Sequence, residues 1–185
     1  MAGTNQALIG YHFGGKEKLY LAVIEHVTSQ MRNHVDPFLE RIETVLEEVQ
    51  AEPDPAERRT RLLPVLFDLT DGMVALLMHE RSAEWMQLIL GEQQAPSAAF
   101  DVLYDGLMGR VAERITAVAE RLRVDQDETT NRMLAVTIMG QMIVFRSARA
   151  GMLRHLGWSG VDDARGGRVQ HFLRSNFTAL LTPLI

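Results

Sequence analysis

The sequence predicts an all-α protein. Apolar residues recur at i, i+3, i+4 and i+7 along most of the chain, and no stretch alternates apolar with polar as a half-buried strand would. Pro37, Pro55 and Pro96 stand at or just before apparent helix starts, where a missing N–H costs nothing.

In chain order, Asn5 caps a short helix over residues 5–13, and Gly15 caps a second whose stripe Leu19, Val23, Val27 and Met31 ends near His34. Asp36-Pro37 opens a third helix with Phe38, Ile42, Val45 and Val49 inward. Residues 51–55 read as a linker, and Asp54 with Glu57 forms a capping box for a helix to Met78 that Pro64 should kink. A short helix over 82–90 precedes a loop over 91–96. Ser97 then caps a long helix to Leu122, with Phe100, Leu103, Leu107, Val111, Ile115, Val118 and Leu122 on one face. Asp125 and Glu128 form a second capping box, and the helix to about Met152 is apolar nearly all round, so it must be covered on more than one side. After a glycine-rich loop over 157–167, a last helix over 167–181 carries Val169, Phe172, Leu173, Phe177, Leu180 and Leu181. The total is about eight helices joined by short loops.

Composition narrows the function. The 185 residues are 46% hydrophobic and 23% charged, the profile of one globular domain or a small domain fused to a larger one, and not of a disordered or collagen-like chain. No run approaches the roughly 20 apolar residues of a bilayer crossing. The first residues lack the basic-then-apolar order of a secretory signal, so a cytoplasmic location is the default and no membrane partner is expected. There is no cysteine for a disulfide, a thiolate metal site or a nucleophile. A net charge of −5 argues against nucleic-acid binding over the whole surface and leaves room for a small local contact region.

Catalytic signatures are thin. No phosphate-cradling glycine loop, G-x-S-x-G or H-E-x-x-H string occurs, so neither an enzyme nor a cofactor site is expected. His79, Glu80 and Glu84 form a loose acidic group that reads as a solvated helix face rather than a metal site.

The most informative stretch is residues 3–20, GTNQALIGYHFGGKEKLY. It closely resembles the signature of TetR-family transcriptional regulators: the second half of the helix-turn-helix and the start of the helix behind it. Further on, GEQQAPSAAF over 91–100 and Gly140-Gln141 followed by Phe145-Arg146, leading to Leu156-Gly157-Trp158, resemble the sensing domain of the CecR-like (YbiH-like) branch. The likeness spans essentially the whole chain. Members carry roughly 40 further residues at the front, forming a first helix and the first half of the helix-turn-helix; this sequence opens on the second half. The resemblance implies a TetR-like regulator with a partial DNA-binding part over residues 1–34 and a helical ligand-binding and dimerisation domain over 35–185.

Local chemistry fits that implication. On a helical wheel Leu8, Ile9, His12 and Phe13 share one side, and Gln6, Ala7, Gly10 and Tyr11 the other. Gln6 suits bidentate pairing with adenine, and small Ala7 and Gly10 would let the backbone approach base edges; on spacing alone the two are equally well tolerated surface residues. Tyr11 and His12, which elsewhere would read as core, become phosphate contacts under the resemblance, while Phe13 stays core. Lys16 sits in the first turn of a helix, a poor place for a cation unless a phosphate joins it there; the plainer alternative is a solvated lysine offset by Glu17. Asn5, Gln6, Ala7, Gly10, Tyr11, His12 and Lys16 are thus the expected DNA-contact set.

For the sensing domain, Trp85, Tyr104 and Phe145 are candidate walls of a small-molecule cavity. Gln141, Arg146 and Arg149 lie in an apolar helix and need partners. They pair across an interface, reach a neighbouring helix, or line a polar spot in the pocket. The expected partners are operator DNA, an unidentified small effector, and a second copy docked through the last two long helices, 127–152 and 167–181. The expected behaviour is that of a repressor released by its ligand. The rival, which follows if Met1 is the true start, is a helical homodimer that binds a ligand or serves as structure without DNA. In the full-length regulator, Lys16→Ala should weaken all sequences alike and flatten the salt dependence by about one phosphate contact per subunit. Gln6→Ala should relax base preference instead, and anisotropy titrations on matched and mismatched duplexes separate the two.

Overall fold

The structure is a computed structural model that describes residues 15–79 and 82–183. Every regular element among them is helical: α1 Lys16–Glu48, α2 Pro55–Met78, α3 Ser82–Gln94, α4 Ala98–Leu103, a π-helical turn Tyr104–Met108, α5 Gly109–Leu122, α6 Glu128–Ser147, α7 Arg149–Leu156 and α8 Asp163–Leu180. The expected helix over 5–13 lies outside the described residues.

The anticipated break at Asp36-Pro37 is absent. α1 runs through Pro37 as one helix of 33 residues, because its apolar positions on either side of the proline fall on one face. Ile24, Val27, Met31, Val35, Leu39 and Ile42 are all buried. Pro37 and Asn33, whose carbonyl loses its i+4 donor, are both exposed, so water can take up the missing bond. The inward stripe begins at Ile24 rather than Val23, which is 39% exposed. Asp36 does not cap a helix; its carboxylate accepts from Arg110 of α5 at 2.6 Å. The position between residues 34 and 35, where two parts were expected to meet, falls inside this helix.

Other helix ends follow local chemistry. Gly15 has φ 123°, open to glycine and strained for other residues, and starts α1. Asp54 accepts from the Ala56 N–H at 2.9 Å with Pro55 in the first turn. The reciprocal bond comes from Glu52, which accepts from the Asp54 N–H, rather than from Glu57. α2 then passes through Pro64 without interruption. Ser97 caps α4 by accepting from the Ala99 N–H. α6 is capped by Asp127, two residues later than expected, because both carboxylate oxygens of Asp125 are taken by Arg123.

Three further boundaries differ. α3 continues through Gly91 to Gln94 instead of stopping at 90. The helix expected over 127–152 divides at Ala148 into α6 and α7. α8 begins at Asp163, capped by Asp162, so Gly166 and Gly167 lie inside a helix and the loop is shorter than its glycines suggest. α7 ends in a Schellman turn: Gly157 is left-handed at φ 66°, and the Trp158 N–H reaches back to Leu153 O at 2.9 Å.

α1 and α2 pack along each other, α4, the π turn and α5 lie against α1, and α6 and α8 close over α2. Phe177, Ile42, Leu66, Ile115, Ile138 and Met142 sit at the centre, essentially without solvent contact. Phe177→Ala should therefore cost about 3–5 kcal/mol in urea unfolding. Gly91→Ala, at an exposed interior position of α3 where an added Cβ meets nothing within 4 Å, should stabilise by about 0.5–1 kcal/mol.

Candidate functional site

Of the expected DNA-contact set, only Lys16 lies among the described residues. Its side chain is exposed in the first turn of α1, where Glu17 is also found. The rest of the expected contact set, Asn5, Gln6, Ala7, Gly10, Tyr11 and His12, lies outside the described residues, as does Glu80. No group of three or more potential metal ligands occurs among the described residues.

One turn along α1 from Lys16, Tyr20 joins a cluster that the sequence reading did not anticipate. Glu92, in the last turn of α3, is 3% exposed. Its carboxylate accepts the Tyr20 hydroxyl at 2.7 Å, the Ser97 backbone N–H at 2.9 Å and the Ser97 hydroxyl at 3.0 Å. One carboxylate thus ties together the start of α1, the end of α3 and the cap of α4. The Ser97 N–H is the largest influence on its protonation and holds the Glu92 carboxyl below its ordinary value against the opposing push of burial, with the two hydroxyls adding to the effect. Tyr20, hydrogen-bonded to that carboxylate, has its phenol pKa raised in turn. The signal available in the sequence was a lone glutamate five residues before a serine helix cap, inside a stretch that reads as loop. Tyr20 and Ser97 also line a hollow of about 710 Å³ between the first turns of α1 and the start of α4, which Lys16 shares.

A second cavity, about 320 Å³, opens among α3, the π turn, α5 and α6. Its walls are mainly apolar, with Tyr104, Met108, Met139 and Ile143 among them, and Gln93 of α3 supplies an amide. Among the described residues that amide reaches only the Met108 sulfur, at 3.2 Å, a weak acceptor. The π turn was expected to be plain α-helix. It brings Gly106 so close to α1 that a Cβ there would stand 2.7 Å from the Thr28 methyl, and it stacks Tyr104 on Phe100 with centroids 5.8 Å apart.

The six residues expected to line a ligand site are not gathered into one cavity. Tyr104 borders the 320 Å³ cavity. Phe145 borders a smaller groove of about 220 Å³ with Trp158, Arg168 and Phe172. Gln141 accepts from Asn176 of α8 at 3.2 Å, which is the neighbouring-helix alternative. Trp85 packs partly buried against the core, and Arg146 is buried at 9% exposure. Arg149 has a buried Nη1 with no hydrogen-bond partner among the described residues. Trp158 lies under the Arg165 guanidinium, 5.8 Å from its centroid, and so pins the loop before α8.

Residues 64–183 match the family described as the C-terminal domain of the HTH-type transcriptional dual regulator CecR. The chain belongs to the CecR family. It is also similar to the HTH-type transcriptional dual regulator CecR of Shigella flexneri, with 26% identity over 165 residues, 89% of this chain and 71% of that protein. CecR-family members are TetR-type transcriptional regulators rather than enzymes. The matched region starts within α2 and takes in Glu92, the 320 Å³ cavity, α6 and α8; α1 and its Tyr20 precede it.

Glu92 makes the acid limb of stability informative. Its folded-state pKa is depressed, so its contribution is fully present above the unfolded-state value and is lost as pH falls through the folded-state value. The stability gap between wild type and Glu92→Gln should therefore narrow as pH falls from neutral through the carboxylate range. Urea unfolding at a series of pH values measures it; a constant gap would mean that folding does not shift this carboxyl, and a gap that widens on acidification would mean that the fold favours its neutral form.

Proposed function

We propose that the protein is a DNA-binding transcriptional regulator that acts as a homodimer. Its N-terminal residues, 1–34, hold operator DNA, and the helical domain over 35–185 releases it when a small molecule enters. Membership of the CecR family supports the first half of this reading. The observation that carries the second half is the outward face of α6: Met133 is 57% exposed, Val136 67% and Val144 46%, with Gly140 between them. These positions form one stripe, and Phe172 of α8 adds a ring that is 55% exposed. A stripe of large apolar side chains over three helical turns, with a glycine that permits close approach, suits a two-fold helix pair.

The effector is a small, mostly apolar molecule, and the cavity beside Tyr104 is of a size to take one. Trp85, Gln141, Phe145, Arg146 and Arg149 then support or border the sensing half rather than forming a single shell. Repression by occlusion is the simplest outcome of operator binding. The relative is named a dual regulator, which favours as a second reading a protein that also activates at some operators. Such a protein works where the DNA is, in the cytoplasm, and no single helix among the described residues is long and apolar enough to cross a membrane.

Selection of duplexes from a random-sequence pool by the full-length protein tests the DNA half: a shared half-site repeated with two-fold symmetry is expected, and no enrichment would leave the rival ligand-binding dimer. Sedimentation tests the assembly. Wild type should be a dimer at micromolar concentration, and Met133→Glu with Val144→Glu should yield a folded monomer, because both side chains already face outward in a single chain and the charges cost little there. A monodisperse wild-type monomer would overturn the dimer.

A further inference from the structure

We propose that Glu92 is the positioning residue through which the sensing half controls the DNA-facing helix: its carboxylate holds the start of α1 by Tyr20, and filling the cavity beside Tyr104 loosens that hold. The inference rests on the ligand-responsive reading above and adds the residue that carries the response.

Burial of a carboxylate is expensive, and packing alone would be served by an apolar side chain. Here the carboxylate is retained at 3% exposure, and its hydrogen bonds to Tyr20 and Ser97 tie its own helix to two other chain segments. The bond to Tyr20 spans 72 positions in sequence and lands one turn from Lys16. The neighbour of Glu92 on the same helical turn, Gln93, lines the cavity. An occupant that presses on Ile89 and Gln93, which both line the cavity, bears on the last turns of α3, which also carry Glu92.

A second strut runs in parallel. The π turn forms another wall of the cavity through Tyr104 and Met108, and its Gly106 backbone lies against Thr28 of α1. Two of the walls around the cavity, the end of α3 and the π turn, therefore touch α1 directly. π turns are local departures from regular helix and recur at functional positions. The carboxylate links α1 to the first of these walls by hydrogen bonds, which are directional and are lost over a small displacement.

A double-variant cycle on the full-length protein tests this without an identified effector. Ala112→Phe puts a ring into the cavity from α5 as a built-in occupant, with Ala112→Leu as the milder filling if the ring prevents folding. Tyr20→Phe removes one hydroxyl from the clamp and leaves the ring. On an operator duplex selected from a random pool, each should weaken binding about tenfold, and the pair should bind within about twofold of the weaker single variant, because both act on the same hold. Arg61→Met serves as the control, since it cuts the contact of α2 with Glu48 at the other end of α1; its effect should multiply with that of Ala112→Phe in full. Hydrogen exchange gives an arm that needs no DNA: protection of the amides at 19–22 should fall at least about fivefold in Ala112→Phe and in Tyr20→Phe alike. Full multiplication of the two operator effects, or unchanged protection at 19–22 in the cavity-filled protein, overturns the role of Glu92. Failure to select any operator, with the exchange result intact, overturns the DNA reading and leaves the coupling of cavity to α1 standing.

Discussion

The continuity of α1 is the constraint on which the arrangement depends. Thirty-three residues remain one helix although a proline stands in the middle, because the buried seam from Ile24 to Ile42 is worth more than one backbone hydrogen bond. The seam is locked from both sides. His34 Nε2 lies 3.1 Å from the Gly72 carbonyl oxygen of α2, and Gly72 has no side chain because the Phe38 ring occupies the place where a Cβ would stand. On the other flank Asp36 and Glu43 pair with Arg110 and Arg114 of α5. Held this way for a length of about 50 Å, α1 is packed as one continuous rod, with contacts on both flanks of the turn that contains Pro37.

That rigidity gives the Glu92 cluster its importance. Surface ion pairs such as Arg132 with Glu128 are exposed and contribute little. Glu92 is different in kind: it is buried, its carboxyl is held below its ordinary pKa, and its partners Tyr20 and Ser97 lie on two segments other than its own. Of the residues Gly91 to Gln94 only the glycine disfavours a helix; Glu92, Gln93 and Gln94 are good helix formers, and the segment stays helical with Glu92 turned inward to the Ser97 N–H and Tyr20.

Much of the fold was legible in the sequence, since capping and periodicity are local. Gly15 starts a helix through its backbone freedom and Asp54-Pro55 and Ser97 through their side chains, and the face running from Leu103 to Leu122 is buried as its spacing indicates. The misreadings share one physical origin: one residue read by its own preference, without the partner or shared face that decides its role. Pro37 reads as a start until the common face on both sides is seen. Asp125 reads as a cap until Arg123 takes its carboxylate. Gly166 and Gly167 read as loop until Asp162 caps the helix ahead of them. The candidate site was less legible. Residue type picked out Tyr104 and Phe145, which do border cavities, but Glu92 acquires its role from Tyr20, 72 positions away. No periodicity encodes that pairing.

α6 joins these threads. It is apolar nearly all round, and its inward side, Ala135, Ile138 and Met142, is fully used by the core. Its outward side is not, and Val136 and Gly140 belong both to the exposed stripe and to the wall of the 320 Å³ cavity. In the proposed dimer, a second copy seated on the stripe would therefore border the same space as the effector. Such a cavity is shaped by four elements of one subunit and approached by the other, so its occupancy and the closeness of the two α6 helices are thermodynamically linked. A ligand that fits only the cavity of the dimer must tighten the dimer by the same factor by which dimerisation tightens the ligand. Under the proposed role of Glu92, the clamp would transmit to each α1 a state that both subunits have helped to set, and two α1 helices moved together would change the spacing between paired DNA-contacting parts.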